Sequence, residues 1–258
     1  MNNIITTPFR TICLALVSSF CLCALTAEAQ TVIPALPYTV TSPGVYILNS
    51  HLTYSSSSGN AITINANNVT IDFRDYSITG TGSSSTNATG IFASDRSVIT
   101  IRNGTVTGFK IGILLQASSN VTGRNVNNIV ENMRLPSNKQ VGISLPFGIT
   151  CRVEHCQINR IGGSSAGINA IGVNLPFCTA ALVKDNEIST VIAGVGQSWG
   201  ILADRTNAFL VGNKLDTMQN GISVIGNAGV VKLQSNLTIN VTNPYNLGDG
   251  GVDAGLNN

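Results

Sequence analysis

The chain has 258 residues, 10% of them charged and 43% hydrophobic, with 26 glycines and a formal net charge of +2. That apolar content excludes a disordered chain, although charged residues fall well below the roughly 25% usual in soluble domains. No run of five Lys or Arg occurs, so the basic stripe that neutralises phosphates in a nucleic-acid partner is missing.

Taken in order, residues 1–29 have the grammar of an export signal. Arg10 gives a thin positive start, Ile12 to Leu25 is a 14-residue apolar core, and Ala27-Glu28-Ala29 supplies small residues for cleavage before Gln30. Fourteen residues fall short of the ~20 needed to span a bilayer. The expectation is a mature protein without a transmembrane segment, periplasmic or extracellular. Three of six cysteines lie in that signal, leaving Cys151, Cys156 and Cys178. Cys151 and Cys178 are offset by three positions between adjacent repeats, a poor geometry for a bridge. Buried thiols are therefore expected.

Residues 30–60 read as an N-terminal cap. Pro34, Pro37 and Pro43 interrupt helix, Pro43-Gly44 marks a turn, and Ser55 to Asn60 is a loop by composition. A cap is needed because the first coil of a solenoid exposes an open strand edge.

From Ala61 the chain alternates with period two. Ile62 and Ile64, then Val69, Ile71 and Phe73, share one face, with Thr63, Thr70 and Asp72 on the other. The regularity is strongest between Leu145 and Ile192, where one phrase is written twice. Leu145-Pro146-Phe147 returns thirty residues later as Leu175-Pro176-Phe177. The copies stay in phase, pairing Val153 with Val183, Cys156 with Asn186, Ile158 with Ile188 and Ile161 with Val191. Repeats of this kind stack only on their neighbours.

Two columns extend the register. Gly-Ile pairs open strands at Gly90, Gly112, Gly142, Gly167, Gly200 and Gly221. A second pattern runs Ile101–Val106, Val121–Val126, Val153–Ile158, Val183–Ile188 and Leu210–Leu215. No 3.6-residue apolar stripe with caps appears, which leaves parallel β-coils with variable loops, seven or eight over residues 61–245. Residues 246–258 form a Gly/Asn-rich tail.

Pro37-Tyr38, Pro43-Gly44-Val45-Tyr46, Asn68-Val69-Thr70-Ile71-Asp72 and Ile78-Thr79-Gly80 resemble the opening of exported right-handed parallel β-helix proteins. Val98 to Val106 resembles that group's next coil. The resemblance implies an all-β, pectin lyase-like fold with three parallel sheets per turn. The group mixes polysaccharide lyases, hydrolases, epimerases and NosD-type periplasmic proteins, so fold alone does not choose an activity.

Candidate sites follow from registers, since corresponding residues of adjacent coils stand about 4.8 Å apart. Glu154 then meets Lys184, His155 meets Asp185, and Glu187 meets Lys214. His155 beside Asp185, with Glu187 as a second acid/base, could act catalytically. Opposite charges in alternate coils also make an ordinary surface ladder, with Glu154, Lys184 and Lys214 as binding or pairing groups. A concave groove favours the first and a flat exposed ladder the second. Asp95-Arg96 and Asp204-Arg205 lie about four coils apart and are expected to make local turn contacts. Ca²⁺ enters only under a lyase, which by resemblance would need clustered acidic ligands; no such run exists. With only two histidines, His51 and His155, the sequence argues against a transition-metal site and weakens a copper-handling role of the kind the NosD resemblance implies. Asn-X-Thr triplets at Asn68, Asn87, Asn103, Asn120, Asn236 and Asn240 read as turn residues entering strands. Trp199 is the one indole and could stack on sugar. The leading expectation is a non-catalytic exported module that binds a polysaccharide or envelope component; the alternative is a polysaccharide lyase or glycoside hydrolase.

Overall fold

A computed structural model describes residues 29–82, 84–118, 125–162, 169–226, 229–248 and 250–258. Among them there is no helix, and every strand pairing is parallel. The chain winds through about seven turns as a β-solenoid, with three sheets meeting at three corners.

The first sheet stacks Gln30–Val32, Gly44–Ile47, Val69–Asp72, the start of Ile99–Thr107, the start of Ile129–Pro136, Arg152–Glu154, Ala181–Lys184, Ala208–Val211, Val231–Gln234 and Gly251–Asp253. The second takes the later halves of those long strands together with Ser77–Thr79, Gln157–Ile161 and Glu187–Val191. It ends on the first halves of Lys214–Ile225 and Leu237–Leu247. The third runs from Tyr38–Val40 through Asn60–Ile64, Thr89–Ser94, Ile111–Gln116, Val141–Ser144, Ala170–Pro176 and Ser198–Asp204 into the remaining halves.

Alternation explains the core. Ile71, Ile101, Val130, Val153, Val183, Leu210 and Leu233 form one inward column, and Ile78, Val106, Leu135, Ile158, Ile188 and Leu215 another, all wholly buried. Each such side chain contributes about 1.5–3 kcal/mol on leaving water. Residues 30–60 join the stacking, giving first rungs to each sheet while Ile33, Val40 and Leu48 fill the end of the core.

The Gly-Ile column also has a steric cause. A Cβ on Gly112 would lie 2.7 Å from the Gly142 carbonyl and 2.8 Å from Leu135, so the third sheet approaches the second too closely for any side chain. Gly167 lies outside the described residues, and Gly172 occupies this place, between Gly142 and Gly200. The second column needs a similar correction. Val121–Val126 falls largely outside the described residues, and Val130 is the residue in register with Ile101 and Val153. The next first-sheet strand begins at Ile129.

Candidate functional site

The ionisable column lies at the corner between the first and second sheets. There one residue per turn takes a left-handed backbone: Asn103, Asn132, His155, Asp185, Gly212 and Ser235, with φ of 58°, 52°, 54°, 53°, 66° and 54°. That conformation favours Gly, Asn and Asp, since an ordinary Cβ crowds the next carbonyl. Asp185 suits the turn on backbone grounds alone; His155 tolerates it.

Immediately after the corner the chain points inward, and the column changes character. Asn186, Asn213 and Asn236 are buried and linked amide to amide. The Asn186 Nδ2 donates to Asn213 Oδ1 at 2.9 Å and to the Val153 carbonyl at 2.9 Å. Asn213 repeats this with Asn236 and Val183, and Asn236 with Asn257 and Leu210. Each Oδ1 also accepts the backbone N–H of the preceding rung, beginning with Cys156 N at 2.9 Å. Backbone groups at a tight corner would otherwise be buried without partners; the amides supply them.

Outside the corner the expected registers hold: Glu154 is the Cα partner of Lys184, and Glu187 of Lys214. His155 Nε2 stands 3.7 Å from Asp185 Oδ2, which also lies 3.4 Å from Lys184 Nζ. Lys214 Nζ holds Glu187 Oε1 at 3.2 Å. Side-chain exposures of 57% for His155, 41% for Asp185 and 50% for Glu187 place all three in solvent. A depression of about 190 Å³ beside His155 is walled by Asn132, Met133, Arg134 and Gln157; Asp185 and Glu187 lie outside it. The structure joins His155 to Asp185 and leaves Glu187 on the neighbouring sheet, paired with lysine.

Glu131 belongs to the same column and was hidden by the misplaced repeat. It sits between Arg102 and Glu154 as Cα partner of both. Arg102 Nε is 3.0 Å from Asp72 and Arg152 is 3.8 Å from Glu154, so cations bracket the carboxylates. The signal available was Glu131-Asn132-Met133, an acid, a corner residue and an inward residue in the same order as Glu154-His155-Cys156.

The other candidates resolve locally. Arg96 donates to the Asp95 carbonyl, Asp95 accepts from Ser118, and Arg205 lies 3.8 Å from Asp204. Arg205 also covers Phe177 at 4.9 Å, and Phe177 stacks on Phe147 at 5.0 Å and 9°. The twice-written Leu-Pro-Phe therefore ends in an aromatic stack at the third-to-first corner. Trp199 packs with Val141, Ile171 and Leu202 on the outward side of the third sheet. The three cysteines are free and buried; burial pushes Cys151 up to about 11 and Cys156 and Cys178 up to about 12. Among the sequon asparagines, Asn236 is buried in the ladder and Asn103 donates to Asp72, whereas Asn68, Asn87 and Asn240 are exposed. Asn120 lies outside the described residues. No group of three His, Cys, Asp or Glu among the described residues is placed to hold a metal ion, and no helix there is long and apolar enough to cross a membrane.

Two further hollows carry no ionisable side chain in their walls. One of about 400 Å³ is bounded by Pro43, Val45, Asn68, Thr70, Val98 and Thr100. The other, about 320 Å³, lies at the second-to-third corner between residues 192–198 and the rungs at 217–219 and 240–242.

No family model matches the chain, and no curated protein does so significantly. In fold it is similar to the enzymatically active domain of tailspike protein 2 from bacteriophage CBA120, at TM-score 0.52 and 12% identity. That match covers 84% of this chain and 38% of the tailspike domain, so the chain spans well under half of its neighbour's length. An alginate lyase from a Paenibacillus species matches at TM-score 0.39 and 12% identity, over 81% of this chain and 98% of the lyase. The catalytic domain of an α-1,3-glucanase matches at 0.44 and 12%, over 90% and 64%. At such identities the likeness speaks to the β-helix fold alone.

Proposed function

We propose that this β-solenoid is an exported polysaccharide-binding module that acts without a catalytic centre of its own. The observation that carries the reading is how charge is distributed. His155, Asp185, Lys184, Glu187 and Lys214 are paired with one another and exposed, whereas the two larger hollows offer hydroxyls and amides beside aliphatic carbon. A general acid and base need a shared, partly desolvated space with the reacting bond between them. A sugar that is only bound needs hydrogen-bonding groups beside apolar surface, which is the usual make-up of a ligand pocket. The rungs repeat at about 4.8 Å, giving an extended chain a regular set of contacts.

The fold neighbours named above supply context for carbohydrate, not a site. Export rests on residues 1–29, and Ca²⁺ is reserved for the lyase alternative. The test combines binding and turnover on the purified chain, with and without Ca²⁺. Affinity electrophoresis against neutral and uronate polysaccharides should show retardation, with no new reducing or unsaturated ends. Release of ends that vanishes in His155→Ala or Asp185→Ala would replace this reading with an enzyme acting at the corner column.

A further inference from the structure

Resting on that reading, the geometry points to a specific subsite: the hollow at the second-to-third corner takes a neutral pyranose in preference to a uronate. Its floor is Met218, with Ile192 and Ala193 beside it. Met218 is 5% exposed, while Ile192 at 53% and the adjacent Val195 at 72% leave an aliphatic rim in solvent. Such carbon matches the C–H face of a sugar ring, and contact with one would cover surface that is otherwise wet.

The polar wall is set for hydroxyl groups. Thr217 donates its hydroxyl to Asp216 Oδ1 at 2.9 Å, and Asn240 Nδ2 donates to the same oxygen at 3.2 Å. With those protons engaged, Thr217 Oγ1 and Asn240 Oδ1 remain as acceptors. Ser198 Oγ accepts the Gln219 N–H at 3.0 Å, which leaves its own proton to donate. Thr217 and Asn240 occupy equivalent left-handed corner positions, with φ of 59° and 52°, so successive rungs present acceptors in register. A sugar hydroxyl is both donor and acceptor and satisfies this mixed set.

Asp216 also decides against acids. Its carboxylate accepts hydrogen bonds from two of the lining side chains, Thr217 and Asn240, so a uronate carboxylate entering the hollow would come near like charge. The walls offer no Lys, Arg or His in compensation. Neutral sugars escape that penalty.

The experiment titrates the purified full chain by calorimetry with neutral gluco-, manno- and galacto-oligosaccharides and with galacturonate and alginate oligosaccharides. Asn240→Gly is the main variant, because glycine keeps the left-handed corner while removing the amide. Gln234→Ala, exposed on the first sheet and outside the walls of both hollows, is the control. The expected result is binding of a neutral oligosaccharide that weakens up to about tenfold in Asn240→Gly, with Gln234→Ala unchanged. Asp216→Asn should narrow the preference for neutral over uronate ligands several-fold. Unchanged neutral binding in Asn240→Gly, or an equal weakening in Gln234→Ala, would overturn this subsite and leave the glycan reading in place. Preference for uronate would overturn the ligand class. Failure to bind any of the oligosaccharides or polysaccharides would overturn both.

Discussion

The inward column at the first-to-second corner is built in two ways along one rod. Toward the N-terminus its places are taken by Phe73, Gly104, Met133 and Cys156; toward the C-terminus by Asn186, Asn213, Asn236 and Asn257. In the first half, bulk fills the corner, and a Cβ on Gly104 would come within 2.1 Å of Phe73 Cβ. In the second, amides hydrogen-bond up and down the stack. The same backbone corner therefore tolerates two chemistries, but at different risk. Apolar packing degrades gradually as atoms are removed, whereas a half-satisfied buried polar network costs more than no network.

The sharpest way to break that comparison is Asn213→Ala. It strips the Asn213 acceptor from Asn186 N–H and Asn186 Nδ2 on one side, and on the other it removes the amide donor to the Val183 carbonyl and to Asn236 Oδ1, which keeps only the Asn213 backbone N–H. We expect a loss of about 2–4 kcal/mol in unfolding free energy, most of it from the orphaned buried donor. Denaturant unfolding monitored by far-ultraviolet dichroism checks it. A loss under about 0.5 kcal/mol would mean that the amides fill space only.

The thiols test the apolar half through pH. Cys156 belongs to it, and Cys151 and Cys178 lie at the third-to-first corner; the ordinary value is 9.0 for each, raised on folding because burial disfavours the thiolate. The folded state thus holds these protons more tightly than the unfolded chain. Stability is complete below pH 9 and should fall as pH rises toward 11–12, by up to about 1.4 kcal/mol per pH unit for each thiol. Cys156→Ala should flatten that alkaline limb measurably in urea titrations between pH 8 and pH 10.5. An unchanged limb would show that the thiolate finds solvent.

A third change moves the boundary between the two halves. Cys156 Sγ already approaches the Val130 carbonyl at 3.6 Å, the place where ladder amides donate. Cys156→Asn should therefore extend the ladder by one rung and hold stability within about 1 kcal/mol of wild type, while Met133→Asn, beside glycine rather than an amide, should lose about 1–3 kcal/mol. Equal losses would refute the role of the neighbouring amide.

Much of this was legible in the sequence. Period-two alternation gave the strands, and the thirty-residue phrase gave the register, since Val153/Val183 and Ile158/Ile188 are Cα partners. Even Cys156 opposite Asn186 is real, joined by a hydrogen bond. Two rungs were misplaced for a common reason. A solenoid rung is fixed by both neighbours in space, so a local Gly-Ile or Val-x₄-Val match does not by itself set the register. Gly172-Val173 and Val130-Glu131 held the true places. The neutral hollow was illegible because its walls come from three chain segments joined only by stacking.

The smallest effect is expected one residue from the largest. Asn213 is wholly buried, while the next residue, Lys214, has a side chain 48% exposed and pairs at 3.2 Å with Glu187, itself 50% exposed. Strand alternation alone puts one in the ladder and the other in water. Exposed pairs are worth about 0–1 kcal/mol and are screened by salt, so Lys214→Ala should cost less than about 1 kcal/mol, and less still in 0.5 M salt. A double-mutant cycle with Glu187→Gln isolates the pair. A coupling well above about 1 kcal/mol would show that the outer column is held more tightly than its exposure implies. That outcome would restore His155, Asp185 and Glu187 as an organised site, and the contrast between inside and outside of this corner would fail.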